Sequence, residues 1–408
     1  MDQNRIIANV TVIDGLGGRL TDCFVAIENG VIAEIAAAAD LPATPRLAVE
    51  DGAGRTLMPG LIDCHVHLSL DGAPDAIQQI AGDPPAVAAL RLATNAERSL
   101  AAGITTVRDL GAKLHVDIDF RKAVIEGIWH KTPRLVLSGR PLTMTGGHCW
   151  QFGREADGPD ELRKAAREQI KAGADWIKLI ASGGILSPGT QPESPQLEEA
   201  EMRAAIEEAH KAGRRAAVHA HGAAGIKNAL RAGIDSVEHA YFLDDEAIEM
   251  MLERDAWLVP TTWACKVIVQ EGHEGGIPCH AVMKAEAALE RQRESFRKAH
   301  AAGVRIAMGT DAGTPYNRHG ENARELETMV ELGMTPMEAI CASTGLAAEL
   351  LGLADRIGAV EAGREADLLL VEGDPLGDIS VLCDRTAIVQ VYKAGVPVRA
   401  EPAALAAC

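Results

Sequence analysis

The sequence predicts an α/β protein: a (β/α)8 TIM barrel with a small β-sandwich domain formed from both chain ends. Three observations predict it: a repeated Ala-Gly joint, eight short β-type runs in the middle of the chain, and matched β composition at the two ends. In the joint, an alanine-rich amphipathic stretch closes on Ala-Gly and a β-type run follows at once. It occurs at Ala102-Gly103 before ITTVRD, Ala172-Gly173 before ADWIKLI and Ala212-Gly213 before RRAAVHAH. It recurs at Ala232-Gly233 before IDSVEHA and at Ala302-Gly303 before VRIAMGTD. Glycine just past a helix end takes the left-handed conformation at little cost, so helix, glycine and strand make the α-to-β joint of βαβ units.

The strand candidates are Leu61–His67, Ile104–Asp109, Arg134–Ser138, Trp176–Ile180, Ala216–His221, Ser236–His239, Trp257–Pro260 and Arg305–Thr310. An open doubly wound sheet would need a Gly-rich phosphate loop after the first strand, and the sequence has none there. Residues 59–356 are therefore assigned to the barrel. Residues 1–58, with a hairpin signal at Asn29-Gly30, and residues 357–408, with a turn at Ala394-Gly395, are assigned to one discontinuous β domain. The stretch Thr262–Pro278 reads as a long loop.

Composition fits a buried parallel sheet. Of 408 residues, 47% are apolar and only 3% aromatic, so the core is built from Ala, Val, Leu and Ile. A net charge of −18 excludes nucleic acid as an expected partner, because phosphate binding needs a basic face. The cysteines (Cys23, Cys64, Cys149, Cys265, Cys279, Cys341, Cys383 and Cys408) form no C-x-x-C pair, which argues against a zinc ribbon. Scattered this way they suggest reduced thiols and a cytoplasmic location. No signal-peptide layout and no run of 18 apolar residues occur, so no membrane association is expected.

The chemistry begins in PGLIDCHVHL. His65 and His67 are two apart on a strand, leave the same face, and lie at its C-terminal end, where barrel active sites are built. Lys178 lies in the fourth candidate strand, His219 and His221 end the fifth, His239 the sixth, and Asp311 follows the eighth. One such residue alone would read as an ordinary polar group at a strand end. Five strand ends converging on one mouth read as a divalent-ion site built from imidazole and carboxylate. Lys178, in WIKLIASGG, leaves two readings open. It reaches solvent or an acid partner, or it loses its proton, adds CO2 and becomes a carbamate able to bridge two ions.

These phrases resemble the amidohydrolase superfamily. Within it the chain is similar to the imidazolonepropionase-like branch, which includes prolidase-type and arginine/lysine carboxypeptidase-type metal-dependent hydrolases. The resemblance rests on PGLIDCHVHL, TTVRDLG, TGGHCW, WIKLIASGG, AVHAHGAAGI, SVEHA, MGTDAGTP and GAVEAGREADLLLVEGDPL, spread over nearly the whole chain. It implies two divalent ions, with Zn2+ expected. His65, His67 and Asp311 would hold the more buried ion and His219 and His239 the more exposed one. A carbamate on Lys178 and a hydroxide would bridge them. His148 matches a histidine that contacts the oxygen of the reacting group, and His221 a position that reads the substrate carboxylate. Prolidase-type relatives often carry Tyr at the latter, so a proline preference does not carry over. The VHAH form looks closer to the basic-residue carboxypeptidases. A homo-oligomer acting on a small amide or peptide is expected.

The chemistry implied is attack on a carbonyl by metal-bound hydroxide. The second ion and His148 stabilise the oxyanion, and Asp311 shuttles the proton to the leaving nitrogen. The function expected is release of a C-terminal amino acid from a dipeptide or N-acyl amino acid, ochratoxin-like amides included. A mononuclear deaminase or cyclic-amide hydrolase is the alternative, and a non-catalytic scaffold the third reading. Of the remaining residues, Cys64 is expected in the core, and Arg108 and Asp109 as an ion pair at the mouth. Trp263, Lys266, Arg318, His319 and Asn322 read as solvated loop residues ahead of selectivity contacts, and Glu271, Glu274 and Glu321 as solvated surface ahead of a site that attracts a basic side chain.

Overall fold

The computed structural model describes residues 3–398, so Cys408 lies outside the described residues. The Ala-Gly joints end helices as expected. Pro159–Ala172 and Ala223–Ala232 close on Gly173 (φ 112°) and Gly233 (φ 94°), left-handed conformations that a side chain would strain. Seven of the eight strand candidates are strands, with ends shifted by up to three residues. They fall into two parallel sheets. One has three strands in the order Leu61–Val66, Ile104–Asp109, Arg134–Leu137. The other has six, in the order Arg154–Glu155, Leu142–Thr143, Trp176–Ile180, Arg215–Gly222, Ser236–Phe242, Trp257–Val259.

The eighth candidate, Arg305–Thr310, is not a regular strand. It keeps one parallel bridge, Leu258 to Ile306, and the chain beyond it makes another, Val66 to Ala312. Its backbone still bonds both flanking strands, Leu258 N to Arg305 O at 2.9 Å, Ala307 N to Leu258 O at 3.0 Å and Cys64 N to Met308 O at 2.9 Å, but other groups take part of the ladder. Met308 N donates to Ala342 O at 2.8 Å. The buried Asp63 carboxylate accepts from Thr310 N at 3.1 Å and from Thr310 Oγ1 at 2.6 Å.

The expected loop Thr262–Pro278 is another correction, because Thr262–Glu271 is a helix. Its first turn is capped from far along the chain. The buried Glu325 carboxylate accepts from Thr262 N (2.7 Å), Thr262 Oγ1 (2.9 Å) and Trp263 N (2.7 Å). These are donors that the helix itself leaves unpaired.

Strands from both chain ends lie in one hydrogen-bonded sheet of eight rather than in two separate sheets. Thr56–Pro59 joins the ends: it pairs parallel with Arg5–Ile13 and antiparallel with Leu368–Val371. The two hairpin signals hold. Asn29 and Gly30 (φ 54° and 79°) connect Arg19–Glu28 to Val31–Ala37, and Ala394 and Gly395 (φ 46° and 73°) connect Ile388–Lys393 to Val396–Val398.

Strand alternation splits the sheet's side chains between two clusters. Leu57, Leu368 and Leu370 pack with Ile7, Val25 and Ile27. Met58, Leu369 and Val371 point the other way and join the main core beside Leu100 and Ile104. Among the described residues no helix is long and apolar enough to cross a membrane.

If this face holds the sheet to the core, Leu369→Ala should lower unfolding stability by about 2–5 kcal/mol. Val389→Ala, at an exposed position of the same sheet, should stay within about 0.5 kcal/mol. Equal effects in urea titrations would show that docking does not run through Leu369.

Candidate active site

Residues at the C-terminal ends of the parallel strands converge on one pocket, lined by His65, His67, His148, His219, His221, His239, Lys178 and Asp311. His65/His67 and His219/His221 reach it because each pair is spaced by two on its strand. His239 does not reach it by simple alternation, since Glu238 already points inward. The strand bends instead: His239 and Ala240 have φ of 73° and 51°, and pairing with Arg215–Gly222 slips by a residue. Asp311 (φ 60°) and Thr261 (φ 48°) are also left-handed, a strain of about 1–3 kcal/mol each that the surroundings must offset.

One group has ligand geometry among the described residues. His65, His67 and Asp311 bring one ligand atom each to within 4.8 Å of one another. Asp311 Oδ1 is 3.4 Å from His65 Nε2 and 3.3 Å from His67 Nε2. The opposite ring nitrogens are tied back, His65 Nδ1 to Glu238 Oε2 at 2.9 Å and His67 Nδ1 to Gly111 O at 3.1 Å. Holding Nδ1–H in this way leaves the Nε2 lone pair facing the site. Burial and the Lys178 charge push His65 well below the ordinary imidazole range. For His67 burial acts in the same sense, but the Asp311 hydrogen bond and charge outweigh it and raise the pKa.

His219 and His239 lie beside this group with ring centroids 4.6 Å apart, but outside the three-ligand cluster. His219 Nε2 meets Gly183 O at 3.1 Å and His239 Nδ1 meets Thr261 Oγ1 at 2.7 Å, so each keeps its other nitrogen. His148 packs 4.4 Å from the His219 ring, with Nδ1 held by Ser187 Oγ at 2.7 Å. Burial, then Lys178, pushes His148 down to about 3.

Two buried polar atoms here have no hydrogen-bond partner, Lys178 Nζ and His221 Nδ1. Buried polar atoms are normally satisfied. Burial brings Lys178 down to about 8, which moves it toward a free amine. Imidazoles with fixed backs, a carboxylate and an orphaned amine form a donor set that fits divalent metal ions.

Apolar residues wall the pocket. Leu70, Ile77 and Phe152 stand on one side, and Ile185, Leu186 and Ile268 belong to a separate cluster on the other.

Several sequence expectations change. Arg108 does not pair with Asp109, because adjacent strand residues face opposite ways. The fully buried Arg108 guanidinium binds Glu238 instead, with Nη2 at 2.9 and 3.1 Å from its two oxygens, and Nε donates to Cys64 O at 2.6 Å. Asp109 accepts the backbone N–H groups of Leu68 and Gly111. His319 and Asn322 are buried rather than solvated: His319 Nε2 meets His67 O at 3.1 Å, and Asn322 donates to Asp63 at 2.7 Å. Lys266 pairs with Glu331, and it is Ala264, Cys265 and Ile268, rather than Trp263 and Lys266, that line the pocket from this helix. Glu271, Glu274, Arg318 and Glu321 are exposed, and Cys64 is buried as expected. Glu238 and Asp63 were missed. The only signal was an acidic residue inside each apolar strand, one before His239 and two before His65.

Glu238→Gln should leave the buried Arg108 without its counter-charge and cost about 3–5 kcal/mol of stability. It should also weaken metal binding about 10–100-fold in chelator competition. Unchanged metal affinity would show that Glu238 does not orient His65.

Comparison with known proteins supplies a context. The family model described as "Amidohydrolase family" matches residues 56–398. Ochratoxinase of Aspergillus niger is 33% identical over 94% of this chain and 84% of its own length. A Xaa-Pro dipeptidase crystallised with methionine in its active site superposes with a TM-score of 0.87 at 32% identity, covering 97% of this chain and 99% of the other. A prolidase complexed with N-methylphosphonate-L-proline gives a TM-score of 0.89 at 32% identity and the same coverage.

Proposed function

The chain belongs to the amidohydrolase family and is a hydrolase acting on C–N bonds, and from that premise we propose that it releases a C-terminal amino acid from a dipeptide or N-acyl amino acid. The observation that carries this reading is the pocket itself: imidazoles, Asp311 and an orphaned Lys178 amine form its floor, between two apolar walls. Relatives that include an ochratoxinase and a Xaa-Pro dipeptidase support an amide whose nitrogen belongs to an amino acid. The apolar walls favour an apolar side chain, N-acyl-phenylalanine and ochratoxin-like amides included. They count against the basic side chains suggested by the VHAH resemblance, as do the exposed positions of Glu271, Glu274 and Glu321.

In this reading His65, His67 and Asp311 would hold one divalent ion and His219 and His239 a second, with Lys178, as a carbamate, a further ligand. The chemistry that ions bound there would supply is activation of water near neutral pH and polarisation of the carbonyl. Asp311 accepts the proton of the attacking water and passes it to the leaving nitrogen. His148, positioned by Ser187, donates to the developing oxyanion from Nε2. His221 contacts the substrate carboxylate. The walls exclude bulk water, which strengthens each of these contacts.

The same reading takes the two parallel sheets and residues 305–312 as the wall of one (β/α)8 barrel, supported by the Leu258–Ile306 and Val66–Ala312 bridges. Residues 1–58 and 357–408 are its companion domain. A cytoplasmic homo-oligomer with zinc bound belongs to this reading too.

A single-ion deaminase or cyclic-amide hydrolase is the second reading. The observation favouring it is that only His65, His67 and Asp311 form a three-ligand group among the described residues.

Elemental analysis should find about two metals per chain, and zinc-loaded protein should cleave members of a panel of Xaa-Pro, Xaa-Arg, Xaa-Lys and N-acyl-Phe compounds. Lys178→Ala should lose metal and nearly all turnover while remaining folded, with short-chain carboxylic acids restoring part of the activity. A fully active Lys178→Ala protein with unchanged metal content would return the single-ion reading to first place.

His221→Ala should raise KM by an amount worth about 1.5–3 kcal/mol and leave metal content intact. Loss of one metal equivalent would make His221 a ligand instead.

A further inference from the structure

The two apolar walls of the pocket stand at opposite ends of a continuous series of ring contacts. At one end Phe152 lies 6.0 Å from His67, ring centre to ring centre, and packs in one cluster with Leu70 and Ile77. From His67 the contacts run through His65 and His239 to His221, at 5.5, 4.9 and 5.0 Å. At the far end Tyr241 lies 4.2 Å from His221 and packs in a second cluster with Ile185 and Ile268. Ile268 stands on the helix Thr262–Glu271, backed by Val282 and Ala285 from the helix Cys279–Ala302. Ile77 stands on the short helix Ala76–Gly82.

The ends differ in what they offer a polar group. Leu70, Ile77, Pro141 and Phe152 line the first end and have no hydrogen-bonding side-chain atom, and Cys149 adds only a weak thiol donor. At the second end His221 Nδ1 is buried in the pocket lining without a partner. An amide of an amino acid has two unequal halves. The amine half carries an α-carboxylate, which is costly to bury without a donor, whereas the acyl half need carry no charge. We propose that the two walls read different halves of the substrate. The residue to be released lies at the Tyr241 end, its carboxylate toward His221 and its side chain on Ile185 and Ile268. The acyl group lies at the Phe152 end, on Leu70 and Ile77. This rests on the reading of the protein as a hydrolase that releases a C-terminal amino acid. It makes the preferred substrates amides that are apolar on both sides of the scissile bond, with Ile268 and Phe152 setting selectivity independently.

The test compares kcat/KM for pairs of compounds on one protein preparation, so that any loss of folded or metal-loaded protein cancels in the ratio. N-acetyl-Phe over N-acetyl-Ala reads the released residue, and N-hexanoyl-Phe over N-acetyl-Phe reads the acyl group. Wild-type protein should prefer the larger compound in both pairs. Ile268→Ala should lower the first ratio about 10-fold or more and leave the second unchanged. Phe152→Ala should lower the second ratio by a similar factor and leave the first unchanged, and Ile77→Ala, which removes no ring from the series, should act in the same sense. Product inhibition should follow the same division: free phenylalanine should inhibit Ile268→Ala more weakly than wild type, and Phe152→Ala as strongly as wild type. The reverse assignment would put the carboxylate at the Phe152 end and overturn the proposal. So would a variant that shifts both ratios, or variants that shift neither, although amide hydrolysis by the wild type would then stand. Metal-loaded wild type that cleaves none of these compounds and no member of the panel above would overturn the functional reading, and this proposal with it.

Discussion

The site depends on a buried ion pair. Glu238 and Arg108 are both fully enclosed, and each would be costly alone in the interior. Together they are satisfied. The carboxylate takes Arg108, Ser236 Oγ at 2.6 Å and His65 Nδ1, while the guanidinium also reaches Ser236 and Cys64 O and lies 4.4 Å from the centre of the Trp176 ring. Four strands thus meet through one charge pair: those bearing Cys64 and His65, Arg108, Trp176 and Glu238. An apolar replacement could fill the space, but it could not choose which nitrogen of His65 carries the proton.

The same device recurs around the pocket. His67 leans on Gly111 O, His239 on Thr261, and His148 on Ser187, so each ring is fixed at its back and open at its front. Thr261 is itself held, since Gln292 donates to its carbonyl and the next helix turn is capped by Glu325. Burial raises Glu325 to about 7 and Asp63 to about 6, which shows how far these supporting carboxylates are from water. Strained backbone at His239, Thr261 and Asp311 persists because such neighbours leave it no alternative.

What the sequence revealed follows from the range of each interaction. His65, His67, His219 and His221 were legible because a spacing of two on a strand sets their direction locally. The hairpins at Asn29-Gly30 and Ala394-Gly395 were legible for the same reason. Glu238 and Asp63 were not, because the partners that define them, Arg108 and Thr310, lie more than a hundred residues away and look unremarkable in isolation. The helix Thr262–Glu271 reads as a loop in the sequence because its cap comes from Glu325. The irregularity of Arg305–Thr310 is equally hidden, since Asp63 on another strand and the carbonyl of Ala342 take part of its ladder. The alternation that aims the histidines also sends Arg108 and Asp109 to opposite faces, so the two cannot pair.

The sheet that unites the chain ends has a consequence during synthesis. Thr56–Pro59 leaves the ribosome about three hundred residues before Leu368–Val371, the strand that covers its free edge. At about 5–20 residues per second that edge stays open for roughly 15–60 s. An uncovered row of N–H and C=O groups is a template for pairing with another nascent chain. The N-terminal strands of this protein would therefore be the segment that chaperones must shield, and the last fifty or so residues the part whose loss would convert a folding chain into an aggregating one.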